Sequence, residues 1–170
     1  AAGALTAEEV FEKVSPSIFK IHAVDQQGQR VGIGSGVVIG REQVITNCHV
    51  LRNASGLVIS RGNISYGAEL EFPDPDRDLC QLRVRELAAP PVAFADMSTL
   101  RTGQRTYAVG SPRGLELTLT EGIISSLRAD ENQPIIQTSA AISPGSSGGG
   151  LFDSEGRLIG ITTFQWRGQQ

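Results

Sequence analysis

Along most of this chain apolar residues recur at every second position in short runs, which is the period of a half-buried strand. The first such run is Ser17–Ala23, with Ile18, Phe19 and Ile21 apolar. Val31–Ile39 is rich in β-branched residues and interrupted by glycines, as in a barrel strand that bends. Gln43–Thr46, Leu57–Ser60, Ile64–Glu71 and Leu79–Val84 follow, separated by Gly and Asn turns. The second half repeats the rhythm at Arg105–Val109, Leu115–Ser126, Pro134–Ser139, Gly149–Phe152 and Leu158–Phe164. A helical period occurs only at the start. Thr6-Ala7-Glu8-Glu9 has the form of a capping box, and Val10, Phe11 and Val14 follow at near-helical spacing. The pattern predicts a short helix over 7–14, ended by Ser15-Pro16, because a residue before proline avoids helical angles.

About six short strands per half, with no further helix, argue for an all-β fold of two antiparallel barrels. At 170 residues the chain fits one domain. Its first half is expected over about 15–88 and its second over 99–170. Glu86–Ser98, with Pro90-Pro91, reads as the linker between them.

Charge and composition remove several functions. A net charge of −3 argues against a nucleic-acid surface, which needs a basic face. No apolar run approaches the ~20 residues that span a bilayer, so membrane insertion is not expected. The chain opens on Ala1 without an initiator Met, as a mature or trimmed chain would. The two cysteines, Cys48 and Cys80, are too few for a disulfide scaffold. Without a CxxC or a Cys/His cluster, neither a metal nor another cofactor is implied.

Candidate chemistry gathers at three places. Ile142-Ser143-Pro144-Gly145-Ser146-Ser147-Gly148-Gly149-Gly150-Leu151 puts a serine in a glycine-rich turn before a strand. A serine hydroxyl becomes a nucleophile only when a base takes its proton. His49, one of two histidines, closes a strand in Thr46-Asn47-Cys48-His49-Val50. Imidazole titrates near neutrality and is the usual base for such a serine. His22 lies inside a strand with no turn beside it and reads as a surface or core histidine. In Pro73-Asp74-Pro75-Asp76-Arg77-Asp78-Leu79, Asp74 and Asp76 read as turn residues. Asp78 starts an apolar alternation, so it can enter the core, where its carboxylate needs a partner such as a histidine N–H. Each residue alone has an ordinary structural reading: a hydrogen-bonded histidine, a turn aspartate, a glycine-serine loop. Their order, each at a strand edge, favours chemistry.

Gly34-Ser35-Gly36-Val37-Val38-Ile39, Thr46-Asn47-Cys48-His49-Val50, Asp78-Leu79 and Pro144-Gly145-Ser146-Ser147-Gly148-Gly149 resemble the chymotrypsin-fold serine proteases, nearest the HtrA/Deg branch. Val109-Gly110-Ser111-Pro112 with Gly114-Leu115 and Thr118–Ser125 resembles that branch's loop and following strand. The resemblance covers about residues 9–164. It implies two six-stranded barrels with a catalytic cleft between them. His49 would be the general base, Asp78 its orienter and Ser147 the nucleophile, with the N–H groups of Gly145 and Ser147 forming the oxyanion hole. It further implies a serine endopeptidase acting on peptides or proteins in an extracytoplasmic (periplasmic or secreted) setting, with self-association through the N-terminal segment as an option.

Several positions depart from the wider family. Ser146 stands where digestive relatives carry an aspartate that receives a newly cut N-terminus, so activation by such a cut is not expected. Ala141 stands where enzymes that cut after Arg or Lys carry an aspartate. An apolar floor of Ala141 and Ile142 could not compensate a buried cation, so small or medium aliphatic residues are expected there. Thr163, Phe164 and Gln165 would line one wall, with Gln165 narrowing the mouth. Relatives continue with another strand, so the last strand of the second barrel is expected to be missing. If Asp78 bonds His49, Cys48 and Cys80 lie on neighbouring strands, either bridged or as two buried thiols. A Gly-x-Ser-x-Gly esterase elbow is disfavoured, because no histidine follows Ser147 and no βαβ rhythm appears. The other reading is a protease-fold binding or scaffold protein without turnover.

Overall fold

The computed structural model describes residues 3–111, 116–130 and 133–163. One helix, α1 (Ala7–Val14), precedes the strands. Its capping box is formed: Thr6 Oγ1 accepts from Glu9 N–H, and Glu9 accepts from Thr6 N–H. Such a cap is worth about 1 kcal/mol to a helix otherwise too short to stand alone.

Six strands then close into an antiparallel barrel. They are β1 (Ile18–Val24), β2 (Arg30–Gly40), β3 (Gln43–Thr46), β4 (Gly56–Arg61), β5 (Ile64–Asp74) and β6 (Leu79–Arg83), in the order β1-β2-β3-β6-β5-β4. Phe19, Ile21, Val38, Val44, Ile59 and Leu82 fill its interior. The second half contains β7 (Arg105–Gly110), β8 (Thr118–Asp130), β9 (Gln133–Thr138), β10 (Gly150–Phe152) and β11 (Leu158–Ile161). These form a five-stranded sheet, β11-β10-β7-β8-β9, curled into a half-barrel. The first half therefore has the expected six strands, and the second has five among the described residues.

A further apolar cluster joins the halves. Val10 and Val14 of α1 meet Ile18 and Val37 of the first barrel and Tyr107, Val109, Phe152 and Leu158 of the second sheet. The helix is thus a wedge between the halves, with its apolar stripe turned onto its own chain. The segment expected as a linker also touches both. Val92 N–H donates to Val38 O at 3.0 Å, Leu158 N–H to Ala93 O at 2.7 Å, and Ala95 N–H to Leu158 O at 3.0 Å. No described helix is long and apolar enough to cross a membrane.

Candidate active site

β3 ends at Thr46, and the chain turns through a single 3₁₀ turn, Cys48–Leu51, that carries His49. Across the barrel wall Thr46 pairs with Cys80 of β6, so the residues just before β6 lie beside that turn. Asp78 is one of them. It adopts a left-handed conformation (φ 57°), uncommon for a residue with a side chain but accessible to aspartate.

The Asp78 carboxylate holds His49 twice. Oδ1 accepts from the His49 backbone N–H at 2.8 Å, and Oδ2 lies 2.6 Å from ring Nδ1. Both side chains are about four-fifths buried. A carboxylate on Nδ1 fixes the ring's rotation and leaves Nε2 as the working nitrogen. Asn47, fully buried, adds a brace: its Nδ2 donates to Asp78 O at 2.9 Å and to Thr163 Oγ1 at 3.2 Å. Its Oδ1 is buried without a hydrogen-bond partner among the described residues.

Ser147 lies in the turn before β10 and is 3% exposed. This turn docks on β2. Ser35 N–H donates to Ser147 O at 2.8 Å, and Ser35 Oγ donates to Gly145 O at 3.0 Å. Ser35 Oγ also accepts from Ser111 N–H at 2.9 Å. Close approach is possible because Gly34 has no side chain. A Cβ there would lie 2.6 Å from Val50 Cγ2 and 2.9 Å from Ser147 O. The residue after His49 and the carbonyl of Ser147 therefore share the bare face of Gly34, which places the serine turn beside the histidine turn. Gly148 has φ 92°, and a Cβ on it would overlap the Ser35 carbonyl.

The peptide planes of this turn are individually held. Ser146 O accepts from Thr162 Oγ1 and from Gly149 N–H, both at 2.9 Å. The peptide is trans, so its N–H, that of Ser147, points the opposite way from that anchored carbonyl. Gly145 takes φ 87°, a region open to glycine. Ala141, Ile142, Ser143, Ser146 and Thr162 line a small cavity of about 20 Å³ reaching back to Gly110 and Thr118. Phe164 and Gln165 lie outside the described residues.

Cys48 and Cys80 are joined by a disulfide with Cα atoms 5.1 Å apart. His22 sits half-buried on β1 between Ile33 and Val58. Ser35, Thr46, Asn47 and Thr162 are the site residues that sequence reasoning passed over. The available signal was a small polar residue at an inward-facing strand position, as at Ser35 between Ile33 and Val37.

A family model described as a trypsin-like peptidase domain matches residues 34–161. The chain is 40% identical over 151 residues to a probable periplasmic serine endoprotease DegP-like of Marinomonas sp. (strain MWYL1), a match covering 85% of this chain and 32% of that protein. It is 37% identical over 149 residues to the periplasmic serine endoprotease DegP of Escherichia coli (strain K12), covering 81% of this chain and 31% of that protein. The chain thus spans about a third of the length of these relatives. Among solved structures, the HtrA-type protease AlgW with a tripeptide superposes with a TM-score of 0.84 at 30% identity, covering 92% of this chain and 54% of that one.

Proposed function

The chain belongs to the trypsin-like peptidase family, and from that membership we propose that it is a serine endopeptidase acting through an acyl-enzyme. The observation that carries the proposal is the double grip of Asp78 on His49, with bonds of 2.8 and 2.6 Å, beside the turn that bears Ser147. In this reading His49 Nε2 takes the Ser147 proton as Oγ attacks the scissile carbonyl. Asp78 stabilises the imidazolium that forms. The same ring then protonates the leaving amine, and water repeats the sequence to release the acyl group.

The N–H groups of Gly145 and Ser147 serve as the oxyanion hole. Anchoring of Ser146 O by Thr162 and Gly149 supports this role for Ser147, because it fixes the plane from which that N–H projects. Each such donor is typically worth about 100- to 1000-fold in rate. The lining of Ala141, Ile142, Ser143 and Thr162 contains no carboxylate, which supports small or medium aliphatic residues before the scissile bond. Tripeptide binding by the HtrA-type neighbour supports a peptide or protein substrate. The periplasmic relatives, together with the disulfide, support an extracytoplasmic location. Self-association through residues 1–14 would have to use surface other than the buried stripe of α1.

Turnover of a peptide library by wild type and by the Ser147→Ala and His49→Ala variants tests the reading. Wild type should cut after small aliphatic residues, and each variant should lose several orders of magnitude in kcat with unchanged circular dichroism. Near-normal turnover in either variant refutes the assignment. A wild type that binds the peptides without cutting them under any condition favours a binding protein instead.

A further inference from the structure

The half-cystines bracket the proposed base and its orienter: Cys48 immediately precedes His49, and Cys80 follows Asp78 by two residues. The non-covalent ties between the two segments converge on Asp78. Cys48 N–H donates to Asp78 O at 3.2 Å, Asn47 Nδ2 to the same oxygen at 2.9 Å, and His49 N–H to Oδ1 at 2.8 Å. Asp78 itself ends a turn held by its own N–H to Pro75 O at 3.1 Å. These bonds tie the histidine turn to the aspartate turn. The disulfide instead ties the histidine turn to Cys80, a strand residue paired with both Thr46 and Pro73. A lone 3₁₀ turn has little rigidity of its own, so this anchor matters to where the imidazole sits.

The bond is also reachable. Cys48 and Cys80 line an open cleft of about 450 Å³ with His49, Asp78, Leu51 and Arg52. Cys48 is half-buried, whereas Cys80 is 3% exposed. Arg52 also lines this cleft, and its positive charge would favour an approaching thiolate.

We infer that the Cys48–Cys80 disulfide is a reducible positioning clamp for the His49–Asp78 pair, so that a dithiol reductant lowers turnover without unfolding the domain. This rests on the peptidase reading above. One thiolate of the reductant attacks Cys48 Sγ, the S–S bond breaks, and its electron pair leaves on Cys80 Sγ. The reductant's second thiolate then displaces Cys48 from the mixed disulfide. The reductant ends as a disulfide, and both cysteines end as thiols. Misplacing a catalytic group by about 1 Å can cost on the order of 100-fold, so a ten- to hundredfold fall in kcat is expected.

The test compares oxidised and dithiothreitol-reduced protein, with thiol titration to show full reduction. Reduction should lower kcat about ten- to hundredfold and change KM less than about twofold. Near-UV circular dichroism should persist, and re-oxidation should restore the rate. Cys48→Ala/Cys80→Ala should show the low rate and no response to reductant. With only two histidines, ¹⁵N-histidine spectra give a separate readout. The downfield Nδ1 proton of His49 should broaden or vanish on reduction while His22 is unmoved. Unchanged kcat and an unchanged His49 signal at full reduction overturn the clamp, as does loss of activity in step with near-UV ellipticity. An oxidised protein that turns over no substrate, yet whose His49 signal still answers to reductant, keeps the clamp and sinks the peptidase reading.

Discussion

Asp78 performs two tasks with one carboxylate, and its left-handed backbone brings both oxygens to bear on His49. Asp78→Asn keeps the shape but supplies no charge for the imidazolium, so kcat should fall about 10⁴-fold while KM changes little. Steady-state kinetics check this, and a fall below about tenfold contradicts the role. His22 gives an independent prediction. Burial, then the nearby charges of Arg30 and Lys20, lower its pKa from the ordinary 6.5. Just below pH 6.5 the unfolded chain therefore binds a proton that the folded chain does not. The stabilising contribution is complete above that pH and is lost as pH falls towards the lowered value. Melting curves from pH 7.5 down to 5 should show His22→Gln losing less stability than wild type, and parallel declines would contradict this. As candidates, His49, Asp78 and Ser147 were legible in the sequence because each sits at the edge of a strand beside turn residues. Asn47 and Ser35 were not, because their partners, Asp78 and Thr163 for one and Gly145 and Ser111 for the other, are remote in sequence.

At the scale of elements, β2 supplies the surface on which the serine turn rests, and the alternation of Gly32, Gly34 and Gly36 marks where other segments come close. Gly34→Ala would push a methyl against Val50 and the Ser147 carbonyl. Overpacking of this kind should cost roughly 1–3 kcal/mol and depress kcat as the turn shifts. Calorimetry and peptide turnover check the two effects, and a variant with both unchanged contradicts the docking role. The disulfide closes a loop with a sequence separation of 32 residues. By chain entropy that is worth on the order of 4 kcal/mol, so Cys48→Ala/Cys80→Ala should melt roughly 10 °C lower. A domain of ordinary stability survives such a loss. The capping box of α1 could be read from four letters because its bonds are local. Strand ends were less legible: β5 continues to Asp74 and β8 to Asp130 because neighbouring strands pair with them, which alternation alone does not encode.

For the molecule as a whole, the site depends on two halves held in register. The cluster of Val10, Val14, Ile18, Val37, Tyr107, Val109, Phe152 and Leu158 holds them together, and Ser35 and Asn47 cross between them at the site itself. Val10→Ala leaves a void in that wedge and should cost about 2 kcal/mol, lowering Tm by roughly 5 °C. An unshifted melting temperature would mean that α1 does not brace the halves. The two-part, mostly stranded architecture was visible in the period-2 pattern, whereas the wedge was not, because the same apolar stripe could equally have faced another molecule. Whether His49 activates Ser147 is tested most directly by intact-mass analysis after treatment with a fluorophosphonate. One adduct is expected on wild type, mapped to Ser147, and none on Ser147→Ala or His49→Ala. A wild type that remains unmodified, or a His49→Ala variant labelled as fast as wild type, would contradict it.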